Sequence, residues 1–149
     1  MAKVYNAKDV DIRISAEGRE ADTASFVSIK GIESMAIGVD NGLTSWHPFE
    51  AKGWARRMVT SKGIGINFSG KRVSGCEGND YIASLAYKTG VECETTIALH
   101  FPDESTLILD CVVDVGNVGG GSDVAELSFD CMSDGVPFYT DLNGDVVVG

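Results

Sequence analysis

Apolar and polar positions alternate along much of this chain with a period of two. Val10, Ile12 and Ile14 stand between Asp9, Asp11, Arg13 and Ser15, the pattern of a strand with one buried face. Phe26 to Val39 is β-rich, with Met35, Ile37 and Val39 on one parity, and Asn41-Gly42 then gives a strong turn signal. Met58–Thr60 and Gly63–Phe68 predict strand, and Ser69-Gly70 a turn. Further on, Cys93, Ile97, Leu99 and Phe101 share one parity up to Pro102-Asp103. Leu107, Leu109, Cys111, Val113 and Val115 alternate with Asp110 and Asp114. After a flexible connection at Gly116–Gly121, Ala125, Leu127, Phe129 and Cys131 oppose Glu126, Ser128 and Asp130, and Asp134-Gly135 turns again.

Two segments break the alternation. Ile82, Leu85 and Ala86 form an i, i+3, i+4 stripe, with Asn79 or Asp80 as cap and Gly90 as stop, so one short helix is predicted. Alone it is too short to be stable and must lie against a sheet. Residues 43–56 keep no period, and carry Trp46, Pro48, Phe49 and Trp54 among Gly, Ser, Thr and charges. That mixture predicts a large loop or an extended hairpin arm whose aromatics need a partner surface. With no internal repeat and no linker, residues 1–149 are expected to form one domain. The fold class is mainly β: an antiparallel β-sandwich or barrel with one α-helix packed on it.

Charge changes the picture more than composition does. The 149 residues are 44% hydrophobic, enough for an ordinary core, and carry 12 basic against 22 acidic side chains, a net charge of −10. A free-standing nucleic-acid reader normally offers a basic face to phosphate, so that class is disfavoured. Residues 1–72 hold 11 bases and 8 acids, whereas residues 73–149 hold one base, Lys88, and 14 acids. The asymmetry suits self-association of a basic patch with an acidic one on the next copy, or simply a scattered surface charge. No run approaches the ~20 apolar residues of a membrane span, and the N-terminal Met-Ala-Lys-Val-Tyr-Asn lacks a signal-peptide core. A soluble chain in a reducing cytoplasm is the expectation.

Candidate chemistry is sparse. Cys76, Cys93, Cys111 and Cys131 contain no C-x-x-C pair, and three share the parity of apolar strand residues, as buried thiols do. Cys76, in a Gly-rich turn, is the one candidate for reactivity. His47 lies in the aromatic segment and His100 on a strand facing solvent, with no G-x-S-x-G elbow to pair with either. Gly63-Ile-Gly65 and Gly119–Gly121 lack the context of phosphate loops, and Asp141-Leu-Asn143-Gly-Asp145 departs from a calcium loop at Val146. Neither a catalytic site, a cofactor nor a metal is expected. Lys52, Arg56, Arg57, Lys62, Lys71 and Arg72 put six of the twelve bases in one short window. This cluster suits nucleic acid, with Trp46 and Trp54 stacking on bases, or a solvated strand face, or a contact with an acidic neighbour.

The order of short motifs adds to this. Trp46-His-Pro48-Phe49, Lys52-Gly53-Trp54, Arg56-Arg57-Met-Val-Thr60-Ser-Lys62-Gly63, Phe68-Ser-Gly70-Lys71, Glu77-Gly78-Asn79-Asp80-Tyr81-Ile82, Phe101-Pro102-Asp103, Gly119–Gly121 and Asp134-Gly135-Val-Pro137 follow one another along the chain. From about Val10 to Pro137 this order resembles the major tail tube proteins of long-tailed, non-contractile (siphovirus-type) bacteriophages. The resemblance implies a β-sandwich or barrel with one helix, hexameric rings whose sheets join into a lumen wall, and stacking of rings into a hollow tube that conducts DNA. It further implies a long loop between early strands making ring-to-ring contacts, here residues 42–53. Trp46 and Phe49 would be its buried anchors, and Trp54, Lys52, Arg56 and Arg57 would join the contacts. The C-terminal segment at 141–149 is expected to be flexible. Implied partners are further copies of the chain, a tape measure protein, tail terminator and distal tail proteins, and transiting DNA held without specific binding. The implied location is the virion tail, with assembly in the host cytoplasm. Cys76 departs from the polar residue expected before the helix. A tailocin or type VI secretion inner tube, or a β-sandwich carbohydrate- or adhesion-type module using Trp46 and Trp54, are the alternatives.

Overall fold

The computed structural model describes residues 2, 4–19, 22–120 and 122–149. Met1 and Lys3 of the N-terminal hexapeptide and Gly121 of the glycine run lie outside them, as do Glu20 and Ala21. Nine antiparallel strands form one sheet in the order β2-β1-β5-β6-β7-β4-β3, with β8 added to β6 and β9 to β8. The strands are β1 (Asp11–Ile14), β2 (Val27–Ser28), β3 (Ile32–Trp46), β4 (Arg56–Lys71), β5 (Glu94–His100), β6 (Thr106–Val118), β7 (Glu126–Ser133), β8 (Phe138–Thr140) and β9 (Val146–Val148). One helix, α1 (Glu77–Leu85), packs against β2 and β6. The architecture is the expected one, mainly β and antiparallel with a single packed helix, but the sheet does not close into a barrel.

The period-two pattern sorts the chain as predicted. Ile12 and Ile14 of β1, Ile97 and Leu99 of β5, Leu109, Cys111 and Val113 of β6, Leu127, Phe129 and Cys131 of β7, and Ile66 and Phe68 of β4 meet Ile82 and Leu85 of α1 in a single core. Phe68 and Phe129 stack with ring centroids 4.8 Å apart, directly opposite each other across β4 and β7. The alternating polar residues leave the other face of the sheet to solvent.

Several local expectations were overruled by tertiary pairing. Asn41-Gly42 is not a turn: β3 runs through it to Trp46, and Gly42 sits beside a β-bulge at Gly42/Leu43. A Cβ there would collide with the Ser61 side chain. Met58–Thr60 and Gly63–Phe68 belong to one continuous strand that also absorbs Ser69-Gly70, where Gly70 lies against the Gly31–Ile32 backbone too closely for any side chain. β6 likewise extends to Val118, with an irregularity at Val115/Asn117, so Gly116 is strand rather than flexible connection. Cys93 precedes β5 in a 3₁₀ turn instead of lying on the strand. Residues 141–149 hold a turn and then β9, with Tyr139 paired to Val148.

The helix begins earlier and ends sooner than the stripe suggested. Cys76 is its N-cap and Ala86 its C-cap. Asn79 is therefore inside the first turn, fully buried, and its amide reaches out of the helix. Nδ2 donates to the carbonyls of Lys30 (2.8 Å) and Lys71 (3.1 Å), while Oδ1 accepts from the Val73 N–H (3.1 Å) and Arg72 Nη1 (3.0 Å). Lys30 precedes β3 and Lys71 ends β4, so one side chain ties the helix to both ends of the β3–β4 hairpin. Asp80 accepts from the Gly75 N–H and from Arg72 Nη1 at 2.7 Å, completing the knot. Among the described residues no helix is long and apolar enough to cross a membrane.

Asn79→Ala removes a fully buried amide and the partner of three part-buried main-chain groups, and each group left unpaired costs ~1–3 kcal/mol. Urea unfolding is expected to show a loss of about 3 kcal/mol or more, whereas a loss below about 1 kcal/mol would mean that water replaces the amide. Gly78→Ala is expected to destabilise as well, although alanine normally favours a helix by ~1 kcal/mol. A Cβ at Gly78 would overlap the Ser28 carbonyl.

Candidate assembly surfaces

β3 and β4 are 15 and 16 residues long, about twice the length of their neighbour β7. They stay paired from Ile32/Gly70 out to Trp46/Arg56. Only the root of this hairpin lies on the core, because β7 pairs with β4 from Gly65 to Lys71 and no further. Beyond Gly63 the two strands continue as an arm. Its end is closed by a 3₁₀ turn at Phe49–Ala51 and by Lys52 in the left-handed region, φ 54°. The region read as a loop at 42–53 is thus a strand followed by a tight tip.

All six residues singled out for contacts sit at this tip. Phe49 is fully exposed, Trp54 79% exposed and Trp46 40% exposed. Trp46 pairs across the ladder with Arg56, and Ser45 with Arg57. Lys52, Arg56 and Arg57 take part in none of the ion pairs among the described residues. The rest of the basic cluster is elsewhere: Lys62 donates to Asn41 midway along the arm (2.7 Å). At the root Lys71 reaches Glu33 and Glu126, and Arg72 pairs with Asp80. A cluster in sequence is therefore drawn out over ~50 Å of strand at the usual rise.

A second feature was not legible from the sequence. Where the sheet fails to close, an apolar groove of about 920 Å³ lies between the arm and the β8–β9 hairpin. Ile37, Val39 and Ile64 form one wall, and Val136, Pro137 and Val148 belong to the other. Phe101, Asp103 and Leu107 border it too, and two hydrogen bonds from Ser105 hold the Asp103 carboxyl below the ordinary aspartate range. The groove gathers residues from six separate stretches of chain, so no local pattern announces it.

The solvent face of the sheet is the third surface. Asp114 lies directly opposite Asp130, which lies opposite Asn67, which in turn lies opposite Ala36. In the adjoining rows Gly38 faces Gly65, and Asp110 accepts from Thr96 Oγ1 (2.6 Å). Arg19 reaches one end of this face, held by Glu94 (3.1 Å) and Asp134 (2.8 Å).

The residues weighed for chemistry are dispersed. Cys111 and Cys131 are buried, and the neighbouring Cys111 thiol together with burial pushes the Cys131 thiol well above its ordinary range. Cys76 is half-buried and its thiol points to the Ser28 carbonyl. His47 is exposed at the tip, and exposed His100 meets Thr106 Oγ1 at 3.1 Å and Glu104 at 3.7 Å. The Asp141 carboxylate accepts from the N–H groups of Asn143 and Asp145, an Asx turn leading into β9.

No protein-family model matches the chain, and no curated protein matches it by sequence. Solved structures do match. The tail of an empty gene transfer agent (GTA) particle, determined by helical refinement with C6 symmetry, is 15% identical, covers 92% of this chain and 99% of its own, and superposes with a TM-score of 0.73. A chain from the virion of a native GTA particle gives a TM-score of 0.68 at 15% identity over 92% of this chain and 99% of that one. The crystal structure of an Hcp protein gives 0.50 at 11% identity, with 94% and 98% covered. At such identities what is shared is the fold: this chain has the β architecture found in a GTA tail and in Hcp.

Proposed function

We propose that this chain is a structural, tube-forming subunit of a phage-like tail, with no catalytic step of its own. The observation that carries the reading is the arm. It is a long, fully paired hairpin whose aromatic and basic tip has no partner in its own chain, on a fold shared with a GTA tail. Exposed aromatics at the end of a stiff lever are contact anchors: each Trp or Phe removed from water gives ~1.5–3 kcal/mol. Association itself costs ~4–15 kcal/mol, so one tip is a weak contact and several acting together are a strong one. Hexameric rings, as the C6 symmetry of the GTA tail suggests, would present six tips at once. Stacked rings then form a hollow tail tube of siphovirus type.

The solvent face of the sheet fits a bore. DNA carries about one negative charge per 1.7 Å of axis, and a wall bearing Asp110, Asp114 and Asp130 repels it rather than holding it. On this reading the basic tip is glue between subunits. The partners are other copies, a tape measure protein inside the tube, terminator and distal tail proteins at its ends, and passing DNA. The protein belongs to the virion tail and assembles in the host cytoplasm. The weaker likeness to Hcp favours a type VI secretion tube as the second reading, and dependence of length on a tape measure protein separates the two.

Purified protein viewed by negative-stain electron microscopy at rising concentration is expected to show rings and tubes; a persistent monomer would sink the proposal. Phe49→Ala and Trp54→Ala are expected to leave the unfolding free energy of the subunit within about 0.5 kcal/mol while sharply lowering the tube yield. If either variant unfolds, the tip belongs to the core. Asp114 and Asp130 repel each other across the ladder, so Asp114→Asn is expected to stabilise the subunit by ~0.2–1 kcal/mol at low salt, with the gain disappearing at high salt. An unchanged melting temperature at low salt would mean that the pair is fully screened.

A further inference from the structure

The arm tip needs a receiving surface, and the open groove is an unfilled apolar one. We propose that the groove between the arm and the β8–β9 hairpin receives the arm tip of a second copy of this chain, so that donor and acceptor are two ends of one subunit. The proposal rests on the tube-forming reading and specifies where its contacts fall.

Three observations favour this occupant. The first is fit: a groove of about 920 Å³ walled by Ile37, Val39, Ile64, Val136 and Val148 has the size and lining that take large aromatic anchors. Phe49 and Trp54 are such anchors, carried outward with nothing covering them. The second is charge. The tip segment from Trp46 to Arg57 carries Lys52, Arg56 and Arg57 against Glu50 alone. The groove's far side comes from residues 101–148, a stretch without a single Lys or Arg, and contributes Asp103 to the lining, while Lys62 lies on the arm side. An aromatic tip flanked by cations thus meets an apolar floor whose far side carries acidic and no basic residues.

The third is geometric. Val39 on the groove wall and Trp46 at the tip lie on the same strand, seven residues and ~23 Å apart. The pairing of β3 with β4, which continues on both sides of the Gly42/Leu43 bulge, keeps that distance. A tip held away from its own groove fills only the groove of another molecule. Because donor and acceptor differ, the contact is heterologous and repeats from copy to copy. The bulge at Gly42/Leu43 sets the bend of the arm between the two.

The test uses two full-length variants with substitutions at exposed positions, Phe49→Glu at the tip and Val136→Glu in the groove, each first checked for an unchanged melting temperature. Wild-type protein is expected to form tubes. Each variant alone is expected to require at least about tenfold more protein to elongate. A tagged Phe49→Glu subunit, whose groove is intact, is expected to retain untagged Val136→Glu, whose arm is intact, but not further copies of itself. Tubes from Val136→Glu at the wild-type concentration would overturn the groove assignment while leaving the tube reading standing. Failure of the two variants to bind each other would overturn it too, since one good donor and one good acceptor are then present. No elongation by wild type would overturn both.

Discussion

The buried amide of Asn79 is the interaction on which the rest of this molecule turns. It holds the carbonyl before β3, the carbonyl at the end of β4 and the N–H of Val73, all from one helical turn. A hairpin arm is a lever, and a lever transmits only as much precision as its root retains. Burial of the Asn79 side chain makes the arrangement demanding, since a slipped register leaves its amide unpaired away from water. The close approaches of Gly70 to Gly31 and of Gly78 to Ser28 serve the same end.

β4 carries the second constraint. Its C-terminal half is a core strand, with Ile66 and Phe68 buried, and its N-terminal half is a free arm with Met58 and Val59 exposed. The alternation that packs the core continues past it on β3, through Ile37 and Val39, as the wall of the groove. Core, groove wall and tip are therefore built on one ladder, which carries exposed apolar side chains at both places, Ile37 and Val39 at the groove and Trp46 and Phe49 at the tip.

What was readable in the sequence follows from this division. β6 and β7 were legible because one buried face and one wet face impose a strict period of two, as in Leu107 to Val115. Asn41-Gly42 misled because its local preference for a turn is worth less than the pairing on either side. Asn79 passed for a cap because the groups it serves, at Lys30, Lys71 and Val73, come together only in three dimensions. The tip residues were legible by composition, as Trp and Phe among Gly and charges. The groove was not, because Val39, Val136 and Val148 are unremarkable until the chain brings them to one place.

The glycines of the solvent face have a consequence of a different kind. Gly38 faces Gly65, and Asp40 faces Gly63, so a strip of β3 and β4 carries little side-chain relief of its own, and exposed Met132 of β7 leans over Gly65. Charge decides whether a polyanion is attracted or repelled, but surface relief decides how unevenly it moves. A strip whose one long neighbour is a flexible thioether offers few rigid detents. On the proposed tube reading, friction rather than affinity is what the small residues lower, and a bulky neutral substitution such as Gly38→Leu would roughen the passage without altering its potential.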